Sequence, residues 1–213
     1  MMDFGYYNMD CMDGMKEFPD KYFDIAVVDP PYGININNNM GRRKNEKKSN
    51  YPVTYWDDKP PEKEYFDELF RVSQKIIIWG GNYFELPPAK CFLIWRKSEV
   101  TEKMSFAMVE YAWTNLQDTA KEWICSCSNQ KDRIHATQKP KALYDWIFSR
   151  YAERGMKFLD THVGSASSLM AAHDAGLQYV GFEKDKYYYD LSKKRLEQHE
   201  AQINLFDFTE VMP

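Results

Sequence analysis

Short apolar runs alternate along this chain with longer segments whose apolar residues recur every three or four positions. Residues 22–28, Tyr-Phe-Asp-Ile-Ala-Val-Val, are rich in β-branched side chains and are halted by two prolines. A run of that kind predicts a strand buried on both faces. Runs at 75–79, 91–95, 156–160 and 178–182 predict more strands, and residues 6–10, 106–113 and 121–126 add three further candidates. Helical spacing begins at Pro60 and Pro61 and sets Tyr65, Phe66, Leu69, Phe70 and Val72 on one face through residue 72. Further helices are predicted over 11–18, 141–150, 168–175 and 185–200. The last turns Tyr188, Leu191 and Leu196 inward and leaves Lys193, Lys194 and Arg195 on a solvated face. Strands alternating with helices imply an α/β sheet covered on both sides. Strands close together in sequence imply an antiparallel hairpin at its edge.

The strand at 22–28 delivers Asp29-Pro30-Pro31-Tyr32-Gly33. Chemistry in open α/β sheets gathers just beyond the carboxyl ends of strands. Proline fixes its own φ and restrains the residue before it, so Asp29 and Pro30 are both held extended. An ionised Asp and a proline carbonyl accept hydrogen bonds and donate none. Their natural partner is an –NH2 group, and Tyr32 adds a flat face for a planar ring. The niche suits an amino-bearing base. A proline turn with a capping Asp is the structural alternative.

A second constellation lies near the other end. The strand at 156–160 ends in Asp160 and opens into Thr161-His162-Val163-Gly164-Ser165-Ala166-Ser167. Strand, small-residue turn and helix let backbone approach a nucleotide closely, although packing alone also favours small residues there. The next strand ends at Glu183, placed to accept from ribose hydroxyls. His162 reads as a loop hydrogen-bonder rather than a base or ligand, and Ala166 is expected at negative φ. Between the constellations, His135-Ala136-Thr137-Gln138-Lys139-Pro140 leads into a helix. That helix N-terminus and Lys139 form a positive site suited to a carboxylate. Asp10, after the first strand, is placed to cap the next helix. Residues 33–56 read as a mobile loop, basic at Arg42, Arg43, Lys44, Lys47 and Lys48, suited to phosphate or simply to solvent.

Together these segments resemble the amino DNA methyltransferases, and Asp29 to Tyr32 resemble that family's catalytic tetrapeptide. The tetrapeptide precedes the small-residue loop, an order similar to the circularly permuted β class. The likeness covers residues 6–200. It implies a three-layer Rossmann-like α/β fold, circularly permuted, with a mostly parallel seven-stranded sheet and an antiparallel edge hairpin. One methyltransferase domain would span 1–200, with a tail at 201–213. It implies S-adenosylmethionine as cofactor, held by Asp10, Thr137, Gln138, Lys139, Asp160, His162, Gly164, Ser165, Ser167 and Glu183. Asp29, Pro30, Pro31 and Tyr32 would carry the chemistry on a base rotated out of double-stranded DNA. Asp before Pro-Pro-Tyr goes mostly with the 6-amino group of adenine. Alternatives are the 4-amino group of cytosine, a subunit that binds without catalysis, RNA, or a protein glutamine. Ala136 and Ala166 depart from the family's usual Pro and Gly.

Bulk properties alter little. With 213 residues, 44% hydrophobic and 28% charged, the composition is ordinary and globular. A net charge of −4 excludes a uniformly basic nucleic-acid binder, so DNA contact needs a local basic face such as the 33–56 loop. Only about forty residues separate positions 97 and 135, too few for a separate recognition domain besides the strands. Base readout falls to loops near 97–103 and 128–133. The cysteines at 11, 91, 125 and 127 lack zinc or redox spacing, and no metal is expected. The absence of a membrane-length apolar run and of a signal peptide predicts a cytoplasmic protein without membrane contact. A homodimer is expected from the class. Gln202-Ile203-Asn204-Leu205-Phe206 resembles the peptide with which bacterial DNA-processing proteins dock on the sliding clamp. The alternative is a tail packed on its own core or on a second subunit.

Overall fold

A computed structural model describes residues 1–34, 57–104, 107–127, 133–135 and 137–202. Eight strands form one sheet: β1 (Gly5–Asn8), β2 (Phe23–Val28), β3 (Ser73–Trp79), β4 (Phe92–Lys97), β5 (Val109–Thr114), β6 (Lys121–Cys125), β7 (Lys157–Asp160) and β8 (Gln178–Glu183). Their order is β1-β8-β7-β2-β3-β5-β4-β6. The first five run parallel, and β5 alone runs against its neighbours β3 and β4. The expected antiparallel hairpin is β4–β5. The count exceeds the seven expected, because β6 continues the sheet beyond β4, parallel to it.

The apolar runs explain the layers. Side chains alternate across a strand. Ile25 and Val27 of β2, with Ile77 and Trp79 of β3, enter the core under α3 (Lys141–Tyr151), α4 (Ser167–Asp174) and α5 (Lys186–Glu200). Ala26, Val28, Ile76 and Ile78 enter the opposite core under α1 (Cys11–Met15) and α2 (Lys63–Val72). Both faces are therefore dry, and the strands read as continuous apolar stretches. Asp10 and Asp185 cap α1 and α5 with their side chains. Capping Asp185 starts the last helix one residue later than its predicted span.

β2 leads through α2 to β3 on one side. β7 leads through α4 to β8 on the other. The order reverses between β2 and β7, and the carboxyl ends of both open on the same crevice.

Two local expectations are corrected. Ala166 sits at φ 60°, ψ 19°, in the left-handed region, not at negative φ. The chain must turn there into α4, and Met170 N–H already closes on the Ala166 carbonyl. Left-handed backbone costs a residue with a Cβ about 1–2 kcal/mol. The methyl is fully buried in the core beside α3 and α4, which returns roughly 0.8 kcal/mol. Arg195 leaves the solvated face and donates from Nη1 to the Ser165 carbonyl at 2.6 Å. α5 thereby clamps the loop that precedes α4.

Candidate active site

Asp29 leaves the end of β2 at the switch point. Its Oδ1 accepts from the Tyr32 hydroxyl at 2.6 Å, and its Oδ2 accepts from Lys139 Nζ at 2.5 Å. Burial and the nearby Asp29 carboxylate push the Tyr32 phenol well up, so it stays a donor. A carboxylate offers about four acceptor sites, so two remain. The Asp29 side chain is 21% exposed and that of Lys139 only 4%. The cation lies beneath and the carboxylate reaches the opening. Among the described residues no donor reaches the Pro30 carbonyl.

Two features hold Tyr32. Asp57, 3% exposed, accepts through Oδ1 from the backbone N–H groups of Tyr32 at 2.7 Å and Gly33 at 2.9 Å. Hydrogen bonds to a charged group are worth about 1.5–3 kcal/mol each, so this residue pins the turn. Just past β3, Gly80 has φ +70°, and a Cβ there would lie 2.1 Å from Tyr32 Cε1. Only glycine lets the ring rest against that backbone.

Lys139 also contacts Glu110 Oε2 at 3.1 Å, and Glu110 Oε1 contacts Lys97 Nζ at 2.7 Å. Burial would lower Lys139, yet Asp29 and Glu110 outweigh it and hold the ammonium charged. Burial would raise Glu110, yet Lys139 and Lys97 outweigh it and hold the carboxylate ionised. The line Asp29–Lys139–Glu110–Lys97 is thus balanced in charge. The sequence set Lys139 with the helix N-terminus as a positive site suited to a carboxylate, and the carboxylates it contacts in the structure are those of Asp29 and Glu110. Glu110, Asp57 and Gly80 were missed as site residues. Of these only the Gly80-Gly81 pair carried a local signal, a sharp turn after a strand.

Across the crevice, Asp160 ends β7. It accepts from His162 N at 3.0 Å and, very closely, from the Ser168 hydroxyl. Burial raises its pKa to about 7, and the Asp29 carboxylate adds to the rise. The two strand ends therefore share one electrostatic space. Glu183 accepts from Gly164 N at 2.9 Å and Asp185 N at 2.8 Å. A Cβ on Gly164, at φ +54°, would meet only the His162 carbonyl at 4.0 Å. Open space over that backbone, with an acidic residue at the next strand tip, fits the nucleoside end of S-adenosylmethionine. Ser165 and Ser167 share a hydroxyl contact at 3.1 Å within the same loop. His162 bonds Thr161 Oγ1 at 2.9 Å, and burial lowers its pKa to about 4. Asp10 caps α1 at Met12 N and pairs with Lys184 at 2.9 Å. In the 135–140 segment, Thr137 bonds His135 Nδ1 at 3.1 Å, and Gln138 Oε1 accepts from Ile134 N at 3.0 Å.

The structure thus brings Asp29, Tyr32 and Lys139 together and sets Asp160, Gly164 and Glu183 beside them. Arg42, Arg43, Lys44, Lys47 and Lys48 lie outside the described residues, as do Ala136, residues 128–132 and residues 203–206 of the tail motif. No described helix is long and apolar enough to cross a membrane.

A mostly parallel sheet with a small-residue loop and a fixed carboxylate at one switch point defines a class, the doubly wound α/β proteins that bind ligands at the carboxyl ends of their strands. Comparison with known proteins narrows it. Residues 87–194 match the family model described as DNA methylase, covering N6 and N4 enzymes, and the chain belongs to that family. Its members are S-adenosylmethionine-dependent amino-methyltransferases of DNA. The matched span includes the 135–140 and 160–183 segments and begins after the Asp29 loop. Type II methyltransferase M.HinfI of Haemophilus influenzae is 21% identical over 247 aligned positions, 92% of this chain and 68% of that protein. The M1.HpyAVI–SAM complex superposes with a TM-score of 0.57 at 16% identity, covering 90% of this chain and 98% of its own. The cytosine-N4-specific PvuII DNA methyltransferase gives 0.61 at 12% identity, covering 99% and 91%. At these identities the structures establish the fold.

Two outcomes follow from the site. Gly80→Ala expels the Tyr32 ring and lowers the rate of methyl transfer by about 10²-fold, the usual cost of a 1 Å misplacement. Steady-state transfer beside cofactor titration checks this, and an unchanged kcat would refute the packing role. His162 is held neutral, so the stability tied to it is full above its unfolded value of 6.5 and is lost as pH falls toward about 4. His162→Phe should therefore gain in melting temperature relative to the parent between about pH 7.5 and about pH 5. Parallel melting curves with constant spacing would contradict it.

Proposed function

We propose that this chain methylates the 6-amino group of adenine in duplex DNA, at a specific site, by direct transfer. The observation that carries the reading is the Asp29 carboxylate, fixed at the mouth of the crevice with acceptor capacity to spare. S-adenosylmethionine, when bound, supplies an electrophilic methyl group. Gly164, Ser165, Ser167, Glu183 and Asp10 would hold its nucleoside part, and Thr137, Gln138 and Asp160 border the remainder.

The chain's own residues do the rest. The amine of a stacked and paired base is out of reach, so the base must leave the helix. Asp29 and the Pro30 carbonyl accept the two amine hydrogens and keep the nitrogen lone pair from delocalising into the ring. As the nitrogen becomes cationic, Asp29 stabilises it and receives the proton it sheds. Lys139 would blunt that carboxylate if its charge were undivided, and Glu110 takes up part of it. Fixed charges of this kind act without reorganising during the reaction. With both carboxylate oxygens of Asp29 already accepting hydrogen bonds, the amine's own lone pair is the nucleophile and the transfer is a single displacement. Asp before the two prolines supports adenine over cytosine. The basic run Arg42 to Lys48 would contact phosphates and make DNA binding salt-sensitive.

Asp29→Asn preserves shape and removes the charge. Transfer of labelled methyl to unmethylated bacterial DNA should fall by about 10²–10³-fold, the scale of losing one transition-state contact, with cofactor affinity nearly intact. Mass analysis of nucleosides from DNA treated with the parent enzyme should show 6-methyladenine. A 4-methylcytosine product would retire the adenine assignment. Full activity in the Asn variant would retire the role of Asp29.

A further inference from the structure

Tyr32 and Tyr83 form a closed pair of rings. Tyr83 ends the 3-10 turn Gly81–Tyr83 just past β3, on the edge of the crevice that also carries Asp29. The ring centroids are 4.8 Å apart and the planes differ by 13°. Tyr32 packs against Gly80, so Tyr83 covers a face of Tyr32 that an incoming ring would need.

The two rings are held very differently. Tyr32 is fixed through its hydroxyl to Asp29 and through its backbone to Asp57. Tyr83 is 46% exposed, and its hydroxyl has no hydrogen-bond partner among the described residues. Its backbone N–H closes on the Gly80 carbonyl at 2.8 Å, and stacking is what places the ring. A base between two rings needs on the order of 7 Å, two van der Waals contacts of about 3.5 Å. The observed pair leaves no such gap, so it must open before any base stacks on Tyr32. A base–aromatic stack is at least as strong as an aromatic side-chain pair, so the exchange is not uphill.

We propose that Tyr83 occupies the place of the target base in the free enzyme, yields to it, and then stacks on its outer face. It is a positioning residue for the base, and the inference rests on the methyl-transfer reading given above. While closed, the pair keeps Tyr32 covered and its hydroxyl on Asp29. Once open, it gives the base a second wall from a side chain near the surface.

The test uses the full chain with Tyr83→Ala, Tyr83→Phe and the parent. Parent enzyme and unmethylated DNA first identify the modified site by sequencing. In Tyr83→Ala, kcat/KM for DNA should fall about tenfold or more, mainly through KM, while S-adenosylmethionine affinity changes less than about twofold. Tyr83→Phe should restore most of the loss, because the ring and not the hydroxyl is at work. A duplex with 2-aminopurine at the target position, bound with S-adenosylhomocysteine, should emit several-fold more in Tyr83→Ala than in the parent or Tyr83→Phe. Equal KM and equal emission in Tyr83→Ala, beside an active parent, would overturn this role and leave the proposed reaction standing. A parent that transfers no methyl to DNA would remove both.

Discussion

A buried ammonium between two carboxylates ties this site together. Lys139 is nearly inaccessible and would be costly to bury alone. Asp29 and Glu110 make its burial tolerable, and Lys97 completes the charge balance. The four residues come from the end of β2, the start of β5, the end of β4 and the entry to α3. Each pairwise contact therefore fixes one element of the sheet against another. Breaking a buried pair costs far more than forming it gains, because the remaining charge has nowhere to go. The position of the Asp29 carboxylate is set by this constraint more than by the prolines beside it. The prolines limit the backbone, but the charge line chooses where the oxygens point.

Legibility from sequence followed interaction range. Strands β2, β3, β7 and β8 were visible because burial on both faces leaves uninterrupted apolar runs. The Asp160 to Glu183 unit was visible because close backbone approach demands small residues in a fixed order. Asp57 was invisible: an acid after Trp56 carries no pattern, and its role exists only where the chain returns to Tyr32. Glu110 was invisible for a related reason. It sits on a strand with exposed and buried neighbours, and nothing local separates a solvated Glu from one that divides a lysine's charge. Arg195 was misjudged because a run of three basic residues on a helix usually faces water, and here one of them reaches the Ser165 carbonyl. Ala166 was misjudged because the rule against left-handed alanine is a free-energy preference of about 1–2 kcal/mol, and tertiary structure can exceed that.

The crevice combines a stiff side and a loose side. On the stiff side, Tyr32 is held by Asp57, Gly80 and Asp29, and the loop over Gly164 is held by Glu183 and Arg195. These contacts cross between elements, so they resist displacement together. On the loose side, the Tyr83 backbone closes its turn on the Gly80 carbonyl, but its half-exposed ring is placed by stacking on Tyr32. Such a division suits a reaction whose donor and acceptor atoms must be fixed while a large planar group enters and leaves. Rigidity near the reacting atoms supplies the rate, since misplacement by an ångström is expensive. The opening proposed for the next ring out would supply access at little cost, because a stacked aromatic pair is a weak lock. The glycine at position 80 serves both needs: its missing Cβ seats the fixed ring, and it begins the turn that carries the movable one.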